Sequence, residues 1–410
     1  MEYGLIGEHL PHSFSKDIHE QLAPYTYELC ELKAEELGEF LKKREFKGIN
    51  VTIPYKQAVI PYLDEIDEKA KAIGAVNTIV NRGGRLCGYN TDYDGMAGLI
   101  RRLGVDLAGK EVLIFGTGGT SRTATAVARD MGAKSVTRVS RTAKDDAISY
   151  EDAAKRDAQF IANTTPAGMF PHAEGQAMDI SCFLNLEGLI DAVYNPLRTK
   201  LVQSARAMGA SADGGLYMLV GQAVSACELF LGKELAEGTT ARVYEKILAG
   251  KENIVLTGMP GSGKSTVGGI LAAATGRELV DTDAEIVRAA GMPITEIFAT
   301  RGEKAFRDLE SEVVAEISAR TGIVIATGGG AILREENVRR LKQNGRVFFL
   351  DRALADILPT DDRPLSSDRE ALERRFAERY PTYCATADVR IAVTGTAEEA
   401  AKSIQKECSL

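Results

Sequence analysis

The chain of 410 residues lacks several features that define whole classes of protein. Its six cysteines form no C-x-x-C pair, which argues against a zinc site and against a disulfide framework. No apolar run approaches the ~20 residues that span a bilayer. The first residues contain no basic start followed by an apolar core. Internal repeats and low-complexity tracts are also absent. We therefore expect a cytoplasmic, globular protein with reduced thiols.

The chain also has no excess of positive charge. Its net charge is −8 and its isoelectric point is near 5.4, which argues against a general binder of nucleic acids or membrane surfaces. Small anionic ligands stay possible, because a few local groups are enough to capture them. Hydrophobic residues make up 44% of the chain, so compact cores can form. At about 150 residues per domain, the length suggests two or three domains.

Two glycine-rich loops indicate two nucleotide-binding units. One lies in EVLIFGTGGTSR, from Glu111, and the other in NIVLTGMPGSGKST, from Asn253. Each loop follows a strand-like apolar run and opens a helix-like stretch. The alternation of strands and helices predicts an α/β fold with three parts. These are an α/β substrate lobe over 1–95, completed by helices within 215–249, a Rossmann-like NADP domain over 96–214, and a P-loop, NMP-kinase-like α/β domain over 252–410.

Hydrophobic periodicity predicts individual elements in the first unit. We expect strands at 3–6 and 48–53, helices at 34–43 and 64–72, and a helical pattern over 216–249. Gly250 is expected to end the last helix, because glycine is common just past a final helical turn. The boundary between the two units is therefore expected within 247–253.

The first loop has the pattern of a dinucleotide site. Glycines at 116, 118 and 119 let the backbone approach a pyrophosphate, and the following helix N-terminus favours its negative charge. Ser121 occupies the third glycine position, and a simple packing turn is the alternative interpretation. The next strand ends in Ser140-Arg141-Thr142, with Lys144 nearby and no acid. That favours the 2′-phosphate of NADP over NAD, unless Arg141 is only a solvated surface residue.

Polar segments in the first lobe indicate a small-molecule site. HSFSKDIH, INVTIPYK, GAVNT and GYNTDYDG offer many directed hydrogen bonds, as a polyhydroxylated carboxylate requires. Lys56 and Asp92 fall within these segments and could together transfer a proton to a carbonyl that is being reduced. Taken singly, each of the two is more often a surface charge.

Together these segments resemble shikimate dehydrogenase over about residues 1–245. The resemblance implies that Lys56 is the catalytic lysine, that Asp92 is its partner, and that NADPH reduces 3-dehydroshikimate to shikimate. Lys16, Glu20 and Ser140 depart from the family pattern. The implied substrate-binding residues are Ser13, Ser15, Thr52, Asn77, Tyr194 and Gln222. The implied cofactor-binding residues are Gly116, Gly118, Gly119, Thr120, Ser140, Arg141, Thr142, Lys144, Thr164 and Gly215.

The second loop fits G-x-x-x-x-G-K-[ST] fully, between a strand-like run and a helical stretch. Its backbone N–H groups are expected to surround phosphates, Lys264 to reach the β/γ oxygens of ATP, and Ser265 to hold Mg²⁺. Asp281 and Asp283 follow the next strand, so one can support the metal while the other faces an acceptor hydroxyl. The loop residues expected at the nucleotide are Gly261, Ser262, Gly263, Lys264, Ser265 and Thr266.

Further along, arginines and glycines indicate an acceptor site. Arg307 and Glu310 share a helix face, a glycine triplet at 328–330 follows a strand, and Arg363 and Arg379 come later. Each arginine alone is more often a solvated residue. Together these features resemble shikimate kinase over about residues 252–410. The resemblance implies a shikimate site formed by Asp283, Arg307, Gly328, Gly329, Gly330 and Arg379.

The same resemblance assigns Asp281 to the metal, and Asp283 and Lys264 to catalysis. Arg363 corresponds to a lid arginine near the γ-phosphate, although the lid looks short and lacks its usual basic residue. The dehydrogenase product is the kinase substrate, so the two interpretations support each other. The rivals are an NAD-dependent quinate/shikimate dehydrogenase fused to another small-metabolite kinase, and an inactive metabolite-binding module. Small-molecule substrates are the expected partners, and the oligomeric state stays open.

Overall fold

The computed structural model describes residues 1–10, 13–143, 146–357 and 369–408. The chain divides into two compact units, Met1–Ile247 and Leu248–Leu410. Both are built from β-sheets with flanking helices, so the predicted α/β fold class is confirmed. None of the described helices is both long and apolar enough to cross a membrane.

The first unit begins with a mixed six-stranded sheet in the order β2-β1-β3-β5-β6-β4. Strand β3 pairs with β1 in parallel and with β5 antiparallel, which brings Asn50 directly opposite Thr78. The strands are β1 Tyr3–Gly7, β2 Tyr27–Glu31, β3 Gly48–Val51, β4 Glu65–Ile66, β5 Thr78–Arg82 and β6 Arg85–Tyr89. The helices are α1 Ser15–Leu22, α2 Ala34–Lys43, α3 Glu68–Ile73 and α4 Asp92–Leu103.

A second, fully parallel sheet follows in the order β11-β10-β9-β7-β8. Its strands are β7 Glu111–Phe115, β8 Ser135–Val139, β9 Phe160–Asn163, β10 Gly188–Asp191 and β11 Ser211–Asp213. The helices of this region are α5 Gly119–Asp130, α6 Tyr150–Ala153, α7 Lys200–Ala207, α8 Leu216–Leu231 and α9 Thr239–Lys251. A glycine-rich turn therefore connects a buried strand to a helix, as the sequence predicts for a dinucleotide site.

Helices α4 and α8 lie unusually close together, and glycine allows this. A Cβ atom on Gly95 would lie 2.3 Å from the backbone oxygen of Met218 and 2.9 Å from the backbone nitrogen of Gln222. Only glycine therefore fits at this crossing without a shift of the backbone. The close approach places Gln222, from the far end of the first unit, beside the substrate lobe.

The second unit contains a parallel sheet in the order β13-β14-β12-β15-β16. Its strands are β12 Asn253–Thr257, β13 Leu279–Asp281, β14 Val324–Ala326, β15 Gly345–Asp351 and β16 Val389–Ala392. Its helices are α10 Lys264–Thr275, α11 Thr282–Ala290, α12 Ile294–Ser318, α13 Glu335–Asn344, α14 Arg369–Thr386 and α15 Ala397–Glu407. Central strand β12 leads into the second glycine-rich loop.

Two element predictions need correction. Gly250 does not end its helix, because α9 continues to Lys251. The predicted helix at 64–72 begins as strand β4, because this segment pairs with β6. Helix α3 starts only after Asp67, whose carboxylate accepts hydrogen bonds from the backbone of Lys69 and Ala70.

Candidate active sites

The substrate lobe contains a partly buried ion pair. Lys56 Nζ lies 2.5 Å from Asp92 Oδ2, and the two side chains are only 14% and 8% exposed. Asp92 is the first residue of α4, where the helix dipole favours a negative charge. An ammonium and a carboxylate in this arrangement can donate a proton to a substrate oxygen from a fixed position.

Asn77 and Gln222 complete this cluster. Asn77 Nδ2 lies 3.0 Å from Asp92 Oδ1, 3.0 Å from Thr91 Oγ1 and 3.4 Å from Gln222 Oε1. The backbone N–H of Thr91 donates to Asn77 Oδ1 at 2.7 Å, which fixes the orientation of the amide. Four residues predicted from separate motifs, Lys56, Asn77, Asp92 and Gln222, therefore meet at one place.

The other predicted substrate residues come from loops and helix ends. Tyr194 is half-buried and hydrogen-bonded to Ser13, and the loss of water around its hydroxyl raises the pKa of that group. Its ring packs on Phe14, with 5.3 Å between the ring centroids. Ser15 is buried at the start of α1. Thr52 follows β3 and hydrogen-bonds through its backbone N–H to Ile6. The structure thus joins Ser13 to Tyr194, although they are far apart in sequence.

The dinucleotide loop has the close approach that a pyrophosphate site requires. Gly116 has a φ of 111°, and a Cβ there would lie 2.7 Å from Thr164 Oγ1. Gly118 precedes α5, and no atom lies within 4 Å of a Cβ built on it, so the helix N-terminus is open to a ligand. Thr120 is in the first turn of α5, and Gly215 immediately precedes α8.

Ser121 explains why the third glycine of the fingerprint is absent. Its side chain is fully buried and donates to the backbone oxygen of Gly116 at 2.7 Å. The serine therefore ties the start of the helix to the loop instead of leaving room for closer packing. A Cβ on the neighbouring Gly119 would lie 3.5 Å from Lys56 Cβ. The loop and the ion pair thus belong to one site.

The predicted 2′-phosphate group lies at the end of β8. Ser140 hydrogen-bonds through its backbone N–H to Ile148, while Arg141 and Thr142 are exposed. The charge of Arg141 is near enough to Tyr150 to oppose the rise in pKa that burial causes there. Lys144 lies outside the described residues. Arg141 is therefore placed where a ligand could reach it.

In the second unit, the P-loop holds Lys264 against its own backbone. Lys264 Nζ donates to the carbonyl oxygens of Gly258 and Met259, both at 2.9 Å. Gly261 and Gly263 have φ values of 81° and 94°, which glycine adopts readily, so the loop can turn tightly before α10. Ser262 Oγ is buried without a hydrogen-bond partner among the described residues. Thr266 lies in the first turn of α10.

The two predicted metal residues touch each other. Ser265 Oγ lies 2.8 Å from Asp281 Oδ2. A hydroxyl and a carboxylate fit Mg²⁺, which prefers hard oxygen ligands and usually keeps several waters. Among the described residues no three His, Cys, Asp or Glu side chains are grouped to hold a metal alone. The pair therefore suits an ion that is also bound by substrate phosphates.

The glycine triplet packs against the predicted acceptor residues. A Cβ on Gly328 would lie 2.4 Å from Asp283 Oδ1, and one on Gly330 would lie 2.2 Å from Arg307 Nη1. Arg379 Nη1 donates to the backbone oxygen of Gly329 at 3.0 Å. All predicted acceptor residues in the described chain are therefore brought together.

Glu310 and Tyr383 belong to this cluster too. Arg307 Nη1 donates to Glu310 Oε2 at 2.8 Å, and burial raises the pKa of Glu310 while the charge of Arg307 opposes the rise. Tyr383 donates to the backbone oxygen of Gly329 at 2.5 Å. Both residues stand in recognisable motifs, GE-x-x-FR-x-x-E and R-x-P-x-Y, so the motif could have identified them. Arg363, the predicted lid arginine, lies outside the described residues.

Thr91 and Thr282 were not predicted at either site. Thr91 stands in the N-T-D segment directly before Asp92, and that position was the available signal. Thr282 lies between the two aspartates of D-x-D, and its hydroxyl accepts the backbone N–H of Gly328 at 2.7 Å. No sequence signal connects Thr282 to Gly328, which is 46 residues away in the chain.

The geometry defines two nucleotide-dependent α/β enzyme sites in one chain. Residues 5–79 match the model of the shikimate dehydrogenase substrate binding domain, and residues 260–409 match that of shikimate kinase. A shikimate dehydrogenase (NADP(+)) of Clostridium perfringens is 37% identical over 264 residues, which cover 97% of that protein and 60% of this chain.

Solved structures agree over the same part of the chain. Shikimate dehydrogenase 1 of Peptoclostridium difficile has a TM-score of 0.57 at 35% identity and covers 60% of this chain and 98% of that one. A quinate dehydrogenase of Corynebacterium glutamicum in complex with NAD has a TM-score of 0.53 at 28% identity, covering 61% and 99%. The chain belongs to the shikimate dehydrogenase family and carries a shikimate kinase domain in addition. Both predicted enzyme classes are confirmed.

Proposed function

We propose that the first unit reduces 3-dehydroshikimate to shikimate with NADPH, and that the second phosphorylates shikimate to shikimate 3-phosphate with ATP. The observation that carries the proposal is the Lys56–Asp92 pair beside Gly119, because it joins a proton donor to a dinucleotide loop. The P-loop and its arginine-lined acceptor cluster support the second step.

In the first unit, a hydride reaches the ketone carbon while the oxygen gains negative charge. NADPH, when bound at the loop of Gly116 and Gly118, supplies that hydride. Lys56 donates a proton to the oxygen, and Asp92 holds the ammonium in place. Ser13 and Ser15 bind the substrate carboxylate. The carbonyl thus receives one hydride and one proton and becomes the alcohol.

In the second unit, Asp283 accepts the proton of the shikimate 3-hydroxyl as that oxygen attacks the γ-phosphorus of ATP, and the bond to ADP breaks. Lys264 stabilises the phosphate oxygens, and the family resemblance assigns Arg363, which lies outside the described residues, to the γ-phosphate. Ser265 and Asp281 are the residues that would hold Mg²⁺, whose charge neutralises the phosphates. Arg307 and Arg379 bind the shikimate carboxylate.

The alternative is an NAD-dependent enzyme acting on quinate or shikimate, like the structural neighbour from Corynebacterium. Arg141 favours NADPH, because it stands where an NAD enzyme usually has an acid that binds the ribose hydroxyls. The complete Lys56–Asp92 and Lys264–Ser265 sets argue against an inactive binding module. Cofactor preference is the property that separates these proposals.

One experiment tests both steps together. The purified full chain is incubated with 3-dehydroshikimate, NADPH, ATP and Mg²⁺, while NADPH loss and shikimate 3-phosphate are followed in the same sample. We expect NADPH loss without ATP, with shikimate accumulating, and shikimate 3-phosphate only when ATP is present. Reduction with NADH but not NADPH would contradict the first assignment, and phosphorylation of gluconate in place of shikimate would contradict the second.

A further inference from the structure

A continuous chain of buried hydrogen bonds crosses the substrate lobe and ends at the ion pair. It begins at Tyr27 on the edge strand β2, passes Asn50 on β3 and Thr78 on β5, and reaches Asn77 and Asp92. Taken as whole residues, side chain and backbone together, these five are at most 5% exposed. Buried polar groups are costly unless they are paired, so a fully paired chain of this length indicates a specific role.

The first half of the chain has a defined direction. The Tyr27 hydroxyl lies 2.7 Å from Asn50 Oδ1, and Asn50 Nδ2 donates to Thr78 Oγ1 at 3.0 Å. Asn50 and Thr78 are cross-strand partners of β3 and β5, so the backbone itself sets their spacing. Because an amide has one accepting and one donating end, a donor at Tyr27 forces Asn50 to present its NH₂ group to Thr78.

Tyr27 is held as a donor by its surroundings. Burial raises the pKa of its hydroxyl well above the usual value, so the proton stays on the oxygen. The ring of His19 stacks on the Tyr27 ring with 4.0 Å between centroids and an interplanar angle of 4°. Burial lowers the pKa of His19 to about 3, so the stacked ring is neutral and brings no charge to the chain.

The second half transmits this direction to the ion pair. The Thr78 hydroxyl oxygen accepts from Asn50, so its own proton is free to be donated onward. Two acceptors lie within reach of this hydroxyl, Asn77 Oδ1 at 3.2 Å and Thr91 Oγ1 at 3.0 Å. The backbone N–H of Thr91 donates to the same Asn77 oxygen. Asn77 must then present Nδ2 to Asp92 Oδ1, while Lys56 occupies the other carboxylate oxygen. A reversed Asn77 amide would place oxygen against oxygen.

We propose that Tyr27, Asn50 and Thr78 are positioning residues of the reductase site, acting through Asn77 and Asp92 to hold Lys56 at the reacting carbonyl. This inference rests on the proposed function of the first unit. It assigns a role to three residues that touch neither Lys56 nor the dinucleotide loop in the described hydrogen bonds.

The test compares Thr78→Val, Thr78→Ser and Tyr27→Phe in the full-length chain, with Tyr55→Phe as the matched control. Tyr55 is also buried in this lobe, but its hydroxyl donates to the backbone oxygen of Leu32, away from the chain. Small misplacements of a reacting group lower rates strongly, so we expect Thr78→Val and Tyr27→Phe to lower the kcat of reduction about tenfold. The KM for NADPH and the kinase activity should stay unchanged in these variants. Thr78→Ser, which keeps the hydroxyl, should reduce the substrate with the wild-type kcat.

A purely structural role gives a different result. It would lower the melting temperature of Thr78→Val, Tyr27→Phe and Tyr55→Phe alike while leaving kcat within about twofold of the wild type, and that outcome overturns the inference. Failure of the proposed function is recognised separately, by a wild-type chain that does not reduce 3-dehydroshikimate. In that event the role of Thr78 is still tested by NMR, which compares the side-chain amide resonances of Asn77 between ¹⁵N-asparagine-labelled wild type and Thr78→Val. A shift supports positioning, and unchanged resonances overturn it.

Discussion

The two candidate active sites hold their lysines with different kinds of partner. Lys56 contacts the carboxylate of Asp92 at 2.5 Å, whereas Lys264 donates to two neutral backbone carbonyls at 2.9 Å. A carboxylate neutralises an ammonium and fixes its position, which suits a residue that must deliver a proton to one atom. Carbonyl oxygens of the loop itself hold Lys264 where the anionic phosphates are expected, which suits a residue that stabilises phosphate charge. The group that holds each lysine, a carboxylate for Lys56 and backbone carbonyls for Lys264, thus indicates whether the lysine transfers a proton or binds phosphate.

The largest expected effects come from removing either lysine. Lys56→Ala should lower the reduction of 3-dehydroshikimate by ~10²–10⁴-fold, the usual contribution of a positioned acid or base. Phosphorylation of shikimate should stay near wild type. Lys264→Ala should abolish phosphorylation and leave reduction intact. Initial rates of both reactions on each purified variant provide the measurement.

Exposed lysines of the same units serve as controls. Lys69 forms a solvent-exposed ion pair with Asp94, and Lys304 forms one with Asp308. Replacing either by alanine should change neither activity, because exposed pairs contribute little. If Lys56→Ala or Lys264→Ala removed both activities from a folded chain, the comparison between two independent sites would be wrong.

The next effect concerns the acceptor clamp of the kinase unit. Arg379 is 9% exposed and donates to Gly329 in the glycine triplet. Hydrogen bonds to charged groups contribute about 1.5–3 kcal/mol, so Arg379→Ala should raise the KM for shikimate roughly 10- to 100-fold, with a smaller change in kcat. Steady-state kinetics with saturating ATP measure this.

Arg374 is the control on the same helix. It pairs with Glu370 at the surface, where its side chain is 67% exposed. Arg374→Ala should leave the shikimate KM unchanged. An equal rise in KM in both variants would mean that α14 as a whole, and not Arg379, determines acceptor binding.

The sequence motifs correctly predicted structure that depends on neighbouring residues only. The strand, turn and helix around Gly116 and around Lys264 appear where the sequence places them. Asn77 and Gln222 were each predicted from separate segments, but their contact joins positions 145 residues apart. Only the close crossing of α4 and α8 creates that contact, and a single sequence gives no signal for such a crossing.

The errors have physical causes as well. Residues 64–72 were predicted as helix from their periodicity, but strand pairing of Glu65 and Ile66 with Cys87 and Gly88 overrides it. Gly250 was expected to end α9, but glycine in a helix costs only about 1 kcal/mol, which neighbouring turns can tolerate. Both cases show tertiary context outweighing a local propensity.

A smaller effect is expected at Thr282, the unpredicted residue of the kinase site. Its fully buried hydroxyl accepts the N–H of Gly328 at 2.7 Å, so Thr282→Val leaves that N–H unpaired. Such a loss costs about 1–3 kcal/mol, which should lower the free energy of unfolding of the kinase unit and raise the shikimate KM several-fold. Chemical denaturation and kinetics measure the two effects.

Thr257 offers the comparison for Thr282. It is equally buried, but its hydroxyl donates only at 3.4 Å to Phe348. Thr257→Val should therefore cost less stability and leave the shikimate KM unchanged. Thr282→Ser keeps the hydroxyl and should therefore keep the wild-type KM for shikimate. If its KM rose as in Thr282→Val, the hydroxyl would not be the group that supports the glycine triplet.

The smallest expected effect separates the two cofactors at Arg141. This side chain is exposed at the end of β8, where solvent and salt weaken its contact with a phosphate. Exposed charge contacts contribute up to about 1 kcal/mol, so Arg141→Ala should raise the KM for NADPH by no more than about fivefold. The KM for NADH should not change, because NADH has no 2′-phosphate.

Arg129, exposed near the opposite end of α5, is the control, and Arg129→Ala should alter neither KM. The ratio of the two KM values, measured at low and at high salt, gives the result. A ratio that is unchanged in Arg141→Ala, or a wild type that already prefers NADH, would show that the basic strand end does not select the cofactor.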